Sequence, residues 1–175
     1  MAGTLTTMQM MEIALGQLER ALVNDGSREK MCFLEPVAGN EVALDYGPEN
    51  VDCDAGMGWV RLVDKSFGYD FSGQISESAC DDGTQILTLE IGVVRPATAL
   101  FDVNGGQYRL PEPSEHRDDT ARQMADMDIM EWAIRSLKDM NEGPDFRVMF
   151  GQYVPIGPDG GVIGGLWNFS VMEDI

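Results

Sequence analysis

His116 is the chain's one histidine, which excludes a metal cluster built on imidazoles and leaves any Ser/His/Asp triad dependent on this single residue. Placed beside a helix start, it reads as a solvated polar residue rather than a catalytic one. Three carboxylate pairs, Asp81-Asp82, Asp118-Asp119 and Asp126/Asp128, offer the oxygens that acid–base work or a hard cation needs at close quarters. Asp126 and Asp128 stand two apart on a helix and diverge. Asp81-Asp82-Gly83 reads as a turn, and no acidic loop has the spacing of an EF-hand. Solvated surface is the expectation for all three pairs.

Gly160-Gly161-Val162-Ile163-Gly164-Gly165 has the glycine density of a loop that lets backbone N–H groups approach a phosphate. It lacks the Lys-Ser/Thr pair and the following helix that such loops need, so a hairpin turn followed by a close backbone approach is the better reading. Cys32, Cys53 and Cys80 are too few for a disulfide scaffold, and none has CxxC spacing. Cys53 and Cys80 flank a strong strand and could bridge, although free buried thiols are the commoner outcome. Synthesis in a reducing cytoplasm fits this cysteine usage. No cofactor or metal is called for.

The elements that must position these residues belong to one expected folded unit, 1–175, with 43% apolar residues and neither repeat nor linker. No signal peptide or membrane span is expected. The net charge is −18, from 30 acidic and 12 basic residues. It argues against sequence-specific DNA binding, which draws on basic groups displacing counterions from phosphates. An acidic protein can still enclose DNA that must slide, although excess charge is also a simple means of solubility.

Met8, Met11, Leu15, Leu18 and Leu22 recur at helical spacing after a hydroxyl cap at Thr6 or Thr7, and Asn24-Asp25-Gly26 should end that helix. Residues 31–46 read as two short extended pieces around Ala38-Gly39-Asn40, with Pro36 keeping the first out of a sheet centre. Residues 58–63 and 84–95 are the best strands, the former placing Trp59 and Arg61 on one face against Val60 and Leu62 on the other. Residues 64–83 form a long loop bearing Phe67, Tyr69 and Phe71. Residues 97–113 should hold a small hairpin or an arm. Ser114 is the expected cap of a long helix reaching about Met140, with Thr120, Met124, Met127, Met130, Ile134 and Leu137 inward and Gly143-Pro144 as its stop. A hairpin pairs 146–154 with 162–172 across 155–161. The fold class is therefore α+β: two helices on one face of a mainly antiparallel sheet, with long irregular loops and a C-terminal β-hairpin.

Four segments together resemble a family of neck proteins of actinobacterial long-tailed siphophages, described as tail terminators or head-to-tail connectors. They are GWVRLV (58–63), LTLEIGVVR (87–95), ARQMADMDIMEWAI (121–134) and GQYVPIGPDGGVIGGLWNFSV (151–171). The resemblance spans residues of about 30–172. The chain departs from the family where relatives carry further cysteines, with Pro96 directly after Arg95 and Val162 after the double glycine. The resemblance implies a structural virion subunit, not an enzyme. Such a subunit is assembled in the host cytoplasm and forms a homo-oligomeric, hexameric ring that caps the tail tube, ends its polymerisation and joins the head connector, with DNA passing through the lumen. The family carries no catalytic residues to transfer. A stopper or other head-side connector ring is the alternative within this class. A small metal-dependent hydrolase or a calcium-dependent binding module is the alternative outside it.

Interface candidates follow from residue type. Phe67, Tyr69 and Phe71 are loop aromatics able to anchor a neighbour, and Arg95 and Arg109 could pair with carboxylates in an acidic ring. For the aromatics, a small satellite core under the loop is the equal alternative.

Overall fold

The computed structural model describes residues 5–28, 31–39, 42, 56–67, 85–98, 101–102, 108–109, 111–140, 146–159 and 162–173. In chain order the elements are α1 (Thr7–Asn24), β1 (Phe33–Val37), β2 (Met57–Phe67), β3 (Gln85–Pro96), β4 (Phe101–Asp102), β5 (Tyr108–Arg109), α2 (Pro113–Lys138), β6 (Phe146–Asp159) and β7 (Val162–Glu173).

Five strands form one sheet in the order β1-β2-β3-β7-β6, and β4 and β5 pair separately as a two-stranded hairpin. Within the large sheet β1 runs parallel to β2 and the other pairings are antiparallel. Both helices lie on one face: α1 against β1, β2 and β3, α2 against β7, β6 and β3, and the helices against each other. This is the expected α+β architecture. Its physical basis is alternation in the strands. Leu87, Leu89, Ile91 and Val93 of β3 meet Val60 of β2, Phe169 and Val171 of β7 and the buried stripes of both helices in one core. As the middle strand, β3 is buried on both faces almost throughout, which suits its run of apolar residues.

α1 begins as its sequence dictates. The Thr6 hydroxyl accepts from the Gln9 N–H at 3.2 Å while the Gln9 side chain accepts from the Thr6 N–H at 2.8 Å, a reciprocal capping box. It ends at Gly26, whose φ of 74° brings the Ser27 N–H back to the Leu22 carbonyl at 2.8 Å. Its buried stripe is Met10, Met11, Ala14, Gln17, Leu18, Ala21 and Leu22. Met8, expected inside, is exposed, and Leu15 is half-buried.

α2 departs further from expectation. Glu112, not Ser114, is its N-cap, and Pro113 occupies the first turn, where a missing N–H costs nothing. Its inward stripe runs through Asp119, Gln123, Asp126, Met130, Ala133 and Leu137. Thr120 and Met124 face solvent, and Met127 is half-buried. A helix ordinarily turns its apolar residues inward. Here the first half of the inward stripe is polar because buried partners on the sheet receive it, so apolar periodicity alone misses the phase.

The C-terminal hairpin forms as expected, but β6 continues to Asp159 through Pro155 and Pro158. Those prolines are accommodated because β6 is an edge strand and its register slips between Phe150 and Tyr153 and again between Ile156 and Asp159. The Gly157-Pro158 peptide is cis. Pro36 likewise lies on the opposite edge, in β1. β1, the first of the two extended pieces expected in residues 31–46, pairs in parallel with β2. The second piece of that expectation lies outside the described residues.

Candidate functional site

The polar half of α2 meets the ends of β3 and β7 in a buried hydrogen-bonded cluster. Arg95 leaves β3 on the helix side and forks the Asp126 carboxylate, Nε to Oδ2 at 2.7 Å and Nη2 to Oδ1 at 2.6 Å. Asp126 is 2% exposed. Burial pushes its carboxyl above the ordinary value, and the Arg95 hydrogen bonds and charge pull the other way without cancelling that effect. Two turns earlier Asp119, also buried, accepts from the Thr98 backbone N–H at 2.9 Å and its hydroxyl at 3.1 Å. Between them the Gln123 amide donates to the Gly164 carbonyl of β7 and, at 3.3 Å, to the Ile156 carbonyl of β6. Tyr153 donates to the same Gly164 carbonyl at 3.4 Å, and burial followed by the nearby Asp126 charge pushes its phenol up.

Gly164 is the close backbone approach expected of the glycine-rich run. A methyl there would run into the backbone of Val93 and Val94. A side chain at Gly165 would occupy the space of the Tyr153 ring. These glycines therefore serve strand packing within β7.

On the far face of the sheet Trp59, Arg61 and Glu90 form a second network. Trp59 Nε1 donates to Glu90 Oε1 at 2.9 Å, and Arg61 spans both carboxylate oxygens at 2.6 and 2.7 Å. The indole lies flat across Gly92, where a methyl would collide with it. The shared face of Trp59 and Arg61 was legible from alternation, but Glu90 as their common acceptor was not.

Both networks hold their charges in fixed, paired, desolvated positions. Asp126 corrects the expectation of solvated surface for its pair, although Asp128 is exposed and the two do diverge. Asp119 corrects it for the second pair, and Asp81 and Asp82 lie outside the described residues. Arg95 is not an outward ion-pair partner, because its guanidinium is committed to Asp126 in its own chain. Phe67 ends β2 and Arg109 lies in β5, but their side chains, like Tyr69 and Phe71, are outside the described residues. His116 is exposed in the first turn of α2. Cys32 is disulfide-bonded, and Cys53 and Cys80, weighed as a bridge or as free thiols, lie outside the described residues. Among the described residues, no group of three or more His, Cys, Asp or Glu is placed to hold a metal ion. No described helix is long and apolar enough to cross a membrane.

The surface offers a different kind of site. Trp132 is 44% exposed and Met124 40%, both on α2, while Met149 and Val154 are exposed on the edge strand β6. Trp132 forms one wall of an open groove of about 350 Å3 between the C-terminal end of α1 and the middle of α2. No protein-family model matches the chain, and no curated protein matches it.

Proposed function

We propose that this chain is a structural subunit that forms a ring at the head-to-tail junction of a long-tailed bacteriophage, in the role of a tail terminator. The observation that carries the reading is the outward placement of Trp132, Met124, Met149 and Val154 on rigid elements. Large apolar side chains fixed on helices and strands lose little conformational freedom when a neighbour covers them, which is the economy of an assembly interface. The likeness of the sequence to siphophage neck proteins supplies the kind of assembly. The commitment of Asp119, Asp126 and Glu90 to neighbouring donors also supports a scaffold role, since these carboxylates are occupied in holding helix to sheet and strand to strand.

In this reading copies of the chain close into a ring on the end of the tail tube, six-fold as in the family it resembles. The ring stops tube growth and presents its other side to the head connector. The net charge of −18 per chain gives such a lumen a field that repels phosphate and keeps passing DNA from adhering. The decisive test is light scattering of the purified chain, alone and mixed with its tail-tube protein, followed by imaging. Rings, or ring caps on tube ends, are the expected result. A monomer that ignores tubes but binds the head connector would reassign it as a stopper, and one that ignores both would refute the neck reading. In assembled particles, reversing lumen carboxylates to lysine should retard DNA ejection, and unchanged ejection kinetics would remove the charge mechanism.

A further inference from the structure

The groove between the helices combines two chemistries. Its floor is apolar and low, made by Ala21, Ala125 and Ile129, and Trp132 rises beside it with much of its indole exposed. Its rim is acidic. Asp25 follows the last residue of α1, and Asp128 stands one helical turn before Trp132 on the same side of α2.

The backbone adds to this field. The C-terminal end of α1, the negative end of its dipole, borders the groove at Asn24 and Asp25, and no basic residue occupies its last turn. Among the described residues, the cations that form ion pairs do so with Glu19, Glu90, Asp119, Asp126 and Glu131 rather than with Asp25 or Asp128. A ligand suited to the site carries a positive charge at the end of an apolar or planar stem. The charge would lie between the two carboxylates and the stem against the alanines and the face of Trp132.

We infer that this groove is the docking site for an arginine or lysine side chain presented by a basic segment of another protein, with flanking apolar residues covering the indole. A second copy of this chain is the poorer occupant, because its 12 basic residues stand among 30 acidic ones and form no basic run. Nothing in this geometry depends on the neck assignment, so failure of either leaves the other standing.

A random peptide display library selected on the full-length protein tests the inference, with Asp25→Asn/Asp128→Asn and Trp132→Ala proteins selected in parallel. All three positions are solvent-accessible and circular dichroism checks that each protein is folded. The wild type should enrich arginine or lysine beside leucine, isoleucine or valine. A selected peptide, synthesised with a fluorescent label, should bind the double asparagine protein about fivefold more weakly, the scale of lost exposed ion pairs. It should bind Trp132→Ala roughly tenfold or more weakly, as for a truncated aromatic anchor. Replacing its arginine by citrulline should reproduce the asparagine effect. Peptides that bind all three proteins equally would show only attraction to the overall negative charge and overturn the assignment, as would selection without basic residues. A wild-type oligomer that Trp132→Ala dissociates would overturn it too, giving the groove to a second copy.

Discussion

Breaking the Arg95–Asp126 pair should cost far more than removing it whole. Asp126→Ala takes from Arg95, a residue that is 9% exposed, the carboxylate that its Nε and Nη2 address. Removing one member of a buried pair in this way typically costs about 3–5 kcal/mol. For a chain of this length each kcal/mol lowers the melting temperature by roughly 2–4 °C, so a drop of roughly 6–20 °C is expected. Arg95→Met/Asp126→Leu removes both desolvation penalties along with the attraction, and should fall within about 2 kcal/mol of the wild type in either direction.

Arg95→Met alone adds a test by pH. Because burial raises the folded-state value of Asp126 above its ordinary 3.8, the folded state holds this proton more tightly than the unfolded chain does. Stability from this group is present below the unfolded value and is lost as pH rises through the folded one. Without Arg95 to pull the value down, the window of loss moves to higher pH, so Arg95→Met should recover stability on acidification over a range where the wild type is comparatively flat. Urea denaturation followed by tryptophan fluorescence, at several pH values between neutrality and the acid transition, supplies the free energies. If the double variant is as destabilised as the sum of the two single ones, the residues are not energetically coupled and the account of the cluster is wrong.

Gly92→Ala should destabilise by about 1–3 kcal/mol, since the indole of Trp59 has to move. Trp59→Phe in that background should recover part of the loss, and no recovery would place the strain elsewhere. Thr6→Ala should cost about 1 kcal/mol and speed amide exchange in the first turn of α1, leaving α2 unchanged. Glu90→Gln should lose about 2 kcal/mol and alter the near-ultraviolet dichroism of Trp59, because Arg61 then loses the Glu90 charge and the indole keeps only a neutral acceptor there. An unchanged spectrum would mean that Trp59 is held by packing alone.

α1, β2, β3 and the pairing of β6 with β7 were readable in the sequence because local signals and burial agree there. Thr6 and Gly26 mark the ends of α1, and branched residues crowd β3. α2 was readable as a helix and in the facing of its second half, where Met130, Ile134 and Leu137 are buried as expected, but not in that of its first half. Met124 and Trp132 look like core residues yet face outward, while Asp119 and Asp126 look like surface and face inward. What settles this is the presence of Thr98 and Arg95 across the helix–sheet boundary, 21 and 31 residues away in sequence, and no window along one chain contains that information. The parallel pairing of β1 with β2 was not legible for a similar reason, since neither short strand carries a local signal that names its partner. The docking groove was also hidden, because its floor is alanine and periodicity gives alanine little weight.

Pro36 on one outer strand and Pro155 and Pro158 on the other deprive both rims of the sheet of an unbroken ladder of hydrogen-bond donors. Continuous open rims let identical chains add strand upon strand without limit, and they do so whatever side chains the chains carry. Here that route is obstructed at both ends. Any association of these chains is thereby left to complementary side-chain surfaces, whose fixed angle between neighbours can close a circle, rather than to backbone recruitment, whose natural product is a fibre.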